Sequence, residues 1–132
     1  MILLSRAQVL MLHADLVSEF GGSHGVRDDA LLDSALSAPA ASFGSQELYP
    51  TVIEKSARLG FGLIVNHPFV DGNKRVGIHA MFVQLALNGI EIDASETEVI
   101  ALGLSVASGE SNFGEVASWI EVHATHDRGQ QE

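Results

Sequence analysis

Residues 66–75 read Asn-His-Pro-Phe-Val-Asp-Gly-Asn-Lys-Arg, and the run that follows, residues 76–88, is largely apolar and free of proline. Asn88-Gly89 then supplies a pair that commonly ends a helix. The pattern predicts a loop that turns into a buried helix, with the polar residues just before the helix or in its first turn. Such a helix start presents backbone N–H groups and the positive end of the helix dipole, which favours an anion such as phosphate.

The residue types in this loop suit the transfer of a phosphate-containing group from a nucleotide to a hydroxyl. Polyphosphate must be held, its charge neutralised, a metal bound and the hydroxyl deprotonated. Histidine exchanges protons near neutral pH, so His67 is the candidate general base. A carboxylate is a hard oxygen ligand of the kind that Mg²⁺ takes beside phosphates, which makes Asp71 the candidate metal ligand.

The last four residues of the motif predict a phosphate site. Gly72 lacks a Cβ and lets the backbone approach an anion, and the N–H groups of residues 72–75 can form an anion-binding nest. Lys74 supplies a compact positive charge, and Arg75 supplies a forked one. No other segment of the chain offers such a combination.

Taken singly, each of these residues also has an ordinary structural explanation, since a lone histidine is more often structural and Asp-Gly is usually a turn. Their joint occurrence before an apolar helix favours the catalytic interpretation. Phe69 is expected to anchor the loop in the core. Gly77 costs about 1 kcal/mol relative to alanine inside a helix, which indicates close approach of another backbone. The remaining histidines are expected to be structural: His13, His24, His79, His123 and His126.

The bulk composition predicts one soluble domain. The chain has 132 residues, of which 46% are hydrophobic, and it carries 17 acidic against 7 basic residues for a formal charge of −10. Direct nucleic-acid binding needs clustered surplus cations, so that class is excluded. The chain has no cysteine, which suits a reducing cytoplasm. No stretch approaches the roughly 20 apolar residues of a membrane span.

Helix signals recur along the chain, and strand signals are scarce. We predict a compact all-α domain over residues 1–125 and a flexible tail at residues 126–132. Residues 40–49 are compatible with a short β-hairpin or an ordered loop, and residues 90–93 with a brief extended piece. Asp28 or Asp29 is expected to cap a short helix that ends before Pro39. Capping boxes predict four further helix starts, at Ser5-x-x-Gln8, Thr51-x-x-Glu54, Ser95-x-x-Glu98 and Asn112-x-x-Glu115.

The motif at residues 67–75 resembles the signature of the Fic/Doc superfamily, and its lysine form resembles the Doc (death-on-curing) toxin branch. Three further segments look like parts of that family: Gly25 to Leu36, Tyr49 to Ala57, and Leu87-Asn88-Gly89. The resemblance covers roughly residues 1–120, and the nine-residue signature is highly specific.

The resemblance implies an all-α core with a β-hairpin flap over the active site. It implies the toxin of a type II toxin–antitoxin module, which uses ATP and Mg²⁺ to phosphorylate a hydroxyl of a translation protein, elongation factor Tu. By position, residues 43–49 would be a flap that aligns the target segment by strand addition. The implied catalytic residues are His67, Asp71, Lys74 and Arg75, with Asp71 as the metal ligand. The implied nucleotide-binding residues are Gly72, Asn73, Lys74 and Arg75.

Two departures from the longer Fic signature bear on the reaction. That signature has a glycine where this chain has Lys74 and a second arginine where it has Ile78, and those Fic enzymes transfer an adenylyl group. The differences favour phosphoryl transfer, while adenylyl transfer and a catalytically silent antitoxin-binding module stay open as alternatives. No inhibitory Ser/Thr-x-x-x-Glu-Gly/Asn helix is present, so inhibition is expected from a separate antitoxin of Phd type.

Overall fold

A computed structural model describes residues 1–126 as six α-helices and four short strands. In chain order these are α1 (Arg6–Phe20), α2 (Asp29–Ser37), a 3₁₀ turn (Ala38–Ala40), β1 (Ser42–Phe43), β2 (Gln46–Glu47), α3 (Val52–Asn66), α4 (Asn73–Leu87), β3 (Ile90–Ile92), α5 (Glu96–Ala107), α6 (Phe113–His123) and β4 (Ala124–His126). The predicted all-α class with a small hairpin is confirmed. Within residues 1–126, no helix is long and apolar enough to cross a membrane.

All four predicted capping boxes are formed, each with both reciprocal hydrogen bonds. Helix α2 is capped by Asp28, whose carboxylate accepts from the Leu31 N–H at 2.9 Å. Each such cap stabilises a helix by about 1 kcal/mol because it satisfies an N–H that has no partner inside the helix. The chain therefore encodes the helix starts locally.

The pair α3 and α4 forms the middle of the domain. A Cβ added at Gly77 would lie 2.6 Å from Ile64 Cγ1 and 3.0 Å from the carbonyl oxygen of Gly60. A Cβ added at Gly60 would in turn lie 3.0 Å from the carbonyl oxygen of Gly77. The two helices thus touch backbone to backbone at these glycines, which confirms the close approach predicted for Gly77.

Apolar side chains cover both flanks of this central pair. One buried cluster joins α3 and α4 to α5 and α6, and it includes Ile64, Met81 and Ile120. A second cluster joins them to α1 and α2, and it includes Val9, Leu32 and Phe69. The motif loop, which connects α3 to α4, is therefore held between helices packed from both sides.

The strands form two small antiparallel pairs. Strand β1 pairs with β2 in the predicted hairpin, and the predicted extended piece is β3. Its partner β4, which the sequence analysis did not predict, pairs His126 with Ile90. This pairing reaches one residue into the segment assigned to the tail. Residues 127–132, the rest of that segment, lie outside the described residues.

Candidate active site

The motif begins where α3 ends, at a residue in an unusual backbone conformation. His67 caps α3 with φ 53° and ψ 51°, and it is the one non-glycine residue with positive φ within residues 1–126. Such a conformation costs on the order of 1–3 kcal/mol and persists where the surroundings enforce it. Arg27 does so here, since its Nε donates to the His67 carbonyl at 2.8 Å and its Nη2 to the Asn66 carbonyl at 3.2 Å.

The segment between α1 and α2 also holds the motif loop through its backbone. The N–H groups of Arg27 and Asp28 donate to the Pro68 carbonyl at 2.7 and 3.1 Å, and the Val70 N–H donates to the Gly25 carbonyl at 3.0 Å. These bonds clamp both sides of the loop. The Gly25 to Leu36 segment, which the sequence analysis noted only for its resemblance, therefore supports the site.

Phe69 and Asn73 close the loop from inside. Phe69 is fully buried, as predicted, and the His13 ring stacks on it at a centroid distance of 3.8 Å. The buried Asn73 side chain accepts from the Phe69 N–H at 2.9 Å and donates to the Phe69 carbonyl at 3.0 Å. Because both side-chain polar atoms are engaged, the backbone N–H is the part of Asn73 left to contact a phosphate.

Helix α4 starts directly after the loop, as the sequence predicts. Gly72 is its N-cap in the left-handed region, with φ 77° and ψ 21°, and no side chain caps the helix there. Lys74 and Arg75 lie exposed in the first turn. The Arg75 guanidinium carbon lies 4.5 Å from the centroid of the Phe20 ring. The helix start thus combines N–H groups with two exposed cations, the chemistry that an anion requires.

Asp71 is exposed but held by neighbouring backbone groups. Its Oδ1 accepts from the Gly72 N–H at 2.9 Å, its Oδ2 from the Ser23 N–H at 3.2 Å, and its carbonyl oxygen lies 2.8 Å from His13 Nε2. Residues 1–126 contain no group of three or more acidic or histidine side chains that could hold a metal ion. A single carboxylate fits Mg²⁺, which takes one or two protein carboxylates and completes its octahedron with phosphates and water.

These residues line a cleft of about 770 Å³ that is also lined by α5. The polar part of the lining comes mainly from His67 and residues 71–75, together with His79. Burial lowers the pKa of His79, and the nearby charge of Arg75 lowers it further. The residues that α5 contributes to the lining are apolar: Val99, Ile100, Gly103, Leu104, Val106 and Ala107. A molecule with a phosphate chain and a flat ring matches this division.

The hairpin β1–β2 does not line the cleft. It is attached to the first turn of α3, where the buried Lys55 Nζ donates to Glu47 Oε1 at 2.8 Å and to the Pro39 carbonyl at 3.0 Å. Lys55 lies twelve residues before His67, about 18 Å along the helix axis at roughly 1.5 Å per residue. The hairpin is present as predicted, and its role as a flap over the site stays a prediction.

Several residues that support the site could not be identified from the sequence. Arg27, Ser23 and Phe20 contact the motif across 40 or more residues of chain. Their residue types carry no signal by themselves, because arginine, serine and phenylalanine are common on helices and loops. Of these three residues, only Arg27 lies in the Gly25 to Leu36 segment that resembles the family.

Comparisons with known proteins identify a family and relatives to which this chain is similar. The model of the Fic/DOC family matches residues 3–85. A protein named Toxin Doc from Mycolicibacterium smegmatis is 41% identical over 75 residues, which cover 57% of this chain and 58% of that relative. A protein named Protein kinase doc from Escherichia phage P1 is 26% identical over 114 residues, which cover 86% of this chain and 89% of that relative.

Proposed function

This chain belongs to the Fic/DOC family, and we propose that it is a Doc-type toxin that transfers the γ-phosphoryl group of ATP to a hydroxyl of a translation protein. One observation carries the proposal. His67, Asp71 and the start of α4 line one cleft together with apolar residues of α5. This is the division that a nucleotide would need, with phosphates at the helix start and the base against α5.

The proposed reaction assigns one task to each polar group. His67 accepts the proton of the target hydroxyl while the hydroxyl oxygen forms a bond to the γ-phosphorus. The bond from that phosphorus to the bridging oxygen breaks, and ADP leaves. Backbone N–H groups at the start of α4, with Lys74 and Arg75, stabilise the phosphate charge. Mg²⁺, held by Asp71 and the phosphates, would supply further charge neutralisation.

The site favours phosphoryl over adenylyl transfer for a structural reason. Ile78, which stands where the longer Fic signature has its second arginine, is 5% exposed and belongs to the apolar cluster of α3, α4, α5 and α6. Lys74, where that signature has glycine, is exposed at the rim of the cleft. The positive charge is therefore arranged differently from the adenylyl-transferring pattern. The phage P1 relative is named a protein kinase, which points the same way.

The proposed partners follow from the family resemblance. The protein substrate is elongation factor Tu, modified in the cytoplasm where translation occurs. The inhibitor is a separate antitoxin of Phd type, encoded with the toxin in a type II module. The relative named Toxin Doc supports the toxin role.

A labelling experiment tests the reaction. Purified protein is incubated with a bacterial extract, Mg²⁺, and ATP labelled on either the α- or the γ-phosphorus. We expect γ-label on one protein band of the size of elongation factor Tu, identified by mass spectrometry. His67→Ala should abolish the label, while the matched substitution of the exposed His24→Ala should retain it.

The same experiment separates the alternatives. Label from the α-phosphorus would identify adenylyl transfer and would contradict the phosphoryl transfer expected from Lys74 and Ile78. No label from either nucleotide, with the fold intact, would favour a silent module that only binds its antitoxin. Label that survives His67→Ala would refute the assignment of the general base.

A further inference from the structure

We infer that Gly22 and Ser23, in the loop after α1, are positioning residues that hold the Asp71 carboxylate in place for the metal ion. The inference rests on the proposed role of Asp71 and extends it to a segment that no motif identifies. In sequence terms Gly21-Gly22 is only a helix stop. In the structure this loop lies against the carboxylate itself.

Three contacts from α1 and its loop converge on Asp71. The Ser23 N–H donates to Oδ2 at 3.2 Å, and the Gly22 Cα lies so near that an added Cβ would be 2.7 Å from Oδ2 and 3.3 Å from Cγ. His13 Nε2 lies 2.8 Å from the Asp71 carbonyl oxygen. The segment therefore fixes both the backbone and the side chain of the one carboxylate in the motif.

The loop can approach this closely because residue 22 is glycine. Gly22 has φ +109°, a region that residues with a Cβ rarely adopt, and the space that a Cβ would fill is occupied by the carboxylate. Each carboxylate oxygen accepts one N–H bond, from Gly72 or from Ser23. Each oxygen therefore keeps a lone pair for a cation, while rotation of the side chain is restrained.

This arrangement acts as the second layer of a metal site. Groups that hydrogen-bond to a metal ligand set its orientation, and their loss typically weakens metal binding by roughly 10- to 100-fold. Substituting Gly22 by alanine would push on Oδ2. Because Oδ2 is the terminal atom of an exposed side chain, the carboxylate can rotate away from an added methyl group, at the cost of its bond to Ser23, and the fold can persist. The expected damage is then to the metal site rather than to the core.

Gly21 offers a matched control one residue earlier. It also has positive φ, +89°, but a Cβ there would meet nothing within 4 Å. Gly21→Ala and Gly22→Ala thus share the backbone strain and differ in the contact with Asp71. Mn²⁺ binding in the presence of a non-hydrolysable ATP analogue is measured by electron paramagnetic resonance, and thermal unfolding is measured for each variant.

We expect both variants to unfold at lower temperature and only Gly22→Ala to weaken Mn²⁺ binding, by about 10- to 100-fold. Equal Mn²⁺ affinity for the two variants would overturn the inference. If Gly22→Ala does not fold, the wild-type protein provides a second test by nuclear magnetic resonance. Nucleotide-dependent Mn²⁺ should then broaden the amide signal of Ser23, and an unbroadened Ser23 signal would overturn the inference as well.

Asp71→Asn distinguishes a failure of this inference from a failure of the proposed function. If Asp71→Asn binds Mn²⁺ as tightly as the wild type, Asp71 is not the metal ligand and the proposed role fails. If Asp71→Asn loses Mn²⁺ while Gly22→Ala keeps it, Asp71 is a ligand that the loop does not position. If Asp71→Asn and Gly22→Ala both lose Mn²⁺ binding while Gly21→Ala keeps it, Asp71 is a metal ligand and the loop positions it.

Discussion

Replacing Asn73 by alanine separates a structural role of this side chain from a phosphate-binding one. The side chain is 3% exposed and makes two hydrogen bonds, of 2.9 and 3.0 Å, to the backbone of the fully buried Phe69. Alanine would leave the Phe69 N–H and carbonyl without partners. An unsatisfied buried group costs about 1–3 kcal/mol, so the free energy of unfolding should fall by about 2–6 kcal/mol.

A loss of this size would be a large part of the stability of the domain, which is ordinarily about 5–15 kcal/mol. Urea unfolding measures it, followed by the fluorescence of Trp119, the single tryptophan. Asn66→Ala serves as the matched control, because the Asn66 amide makes one half-buried bond, to the Leu31 carbonyl at 3.0 Å. Loss of that bond should cost about 1 kcal/mol.

The result that would refute this reasoning is a loss for Asn73→Ala no greater than that for Asn66→Ala. If Asn73→Ala were instead as stable as the wild type but failed to bind ATP, its side chain would hold phosphate, as the sequence resemblance implies. Calorimetric titration with ATP, done at a temperature where both variants are folded, distinguishes these outcomes.

Two further predictions concern packing and pH. Gly77→Ala should lower the free energy of unfolding by about 1–3 kcal/mol through overpacking against α3. Gly103→Ala, whose Cβ would meet nothing nearer than 3.7 Å, should raise the free energy of unfolding by up to about 1 kcal/mol. Urea titrations in which both substitutions change the free energy of unfolding in the same direction would contradict this expectation. Hydrogen bonds that His123 makes to a carbonyl of its own helix and to Glu98 raise its pKa above 6.5. The contribution of His123 to stability is therefore present below pH 6.5 and is lost as the pH rises through its folded-state pKa. Hydrogen bonds from the Ser95 backbone and from His123 lower the pKa of Glu98 from 4.5 to about 2, so its contribution is present above pH 4.5 and is lost as the pH falls toward 2. The melting-temperature difference between the wild type and His123→Gln should therefore be greatest between pH 4.5 and 6.5, and a difference independent of pH would rule out the ion pair as its source.

The helix starts, the motif helix and the buried positions of Phe69 and Gly77 could be predicted from the sequence because they depend on local signals. A capping box spans four residues, and the apolar run after the motif fixes which helix is buried. The family signature indicated the candidate site, since nine consecutive residues carry nearly all of its polar groups.

Other features depended on contacts between distant segments. The sequence did not predict that β4 pairs with β3, and it did not indicate that the hairpin is attached to Lys55, far along α3 from His67. The engagement of the Asn73 side chain with Phe69 is a local contact, but it depends on a loop shape that Arg27 and its neighbours impose from another part of the chain.

The sequence alone therefore determined the class of fold, the position of the motif at a helix start and the kind of chemistry that its side chains could perform. The tertiary structure decided how the groups that could perform this chemistry are held. Asp71 is oriented by the N–H of Ser23, and His67 is kept in a left-handed conformation by Arg27. The physical reason is that local propensity acts over a few residues, whereas the orientation of a catalytic side chain is set by hydrogen bonds and packing from whichever segments the fold brings beside it.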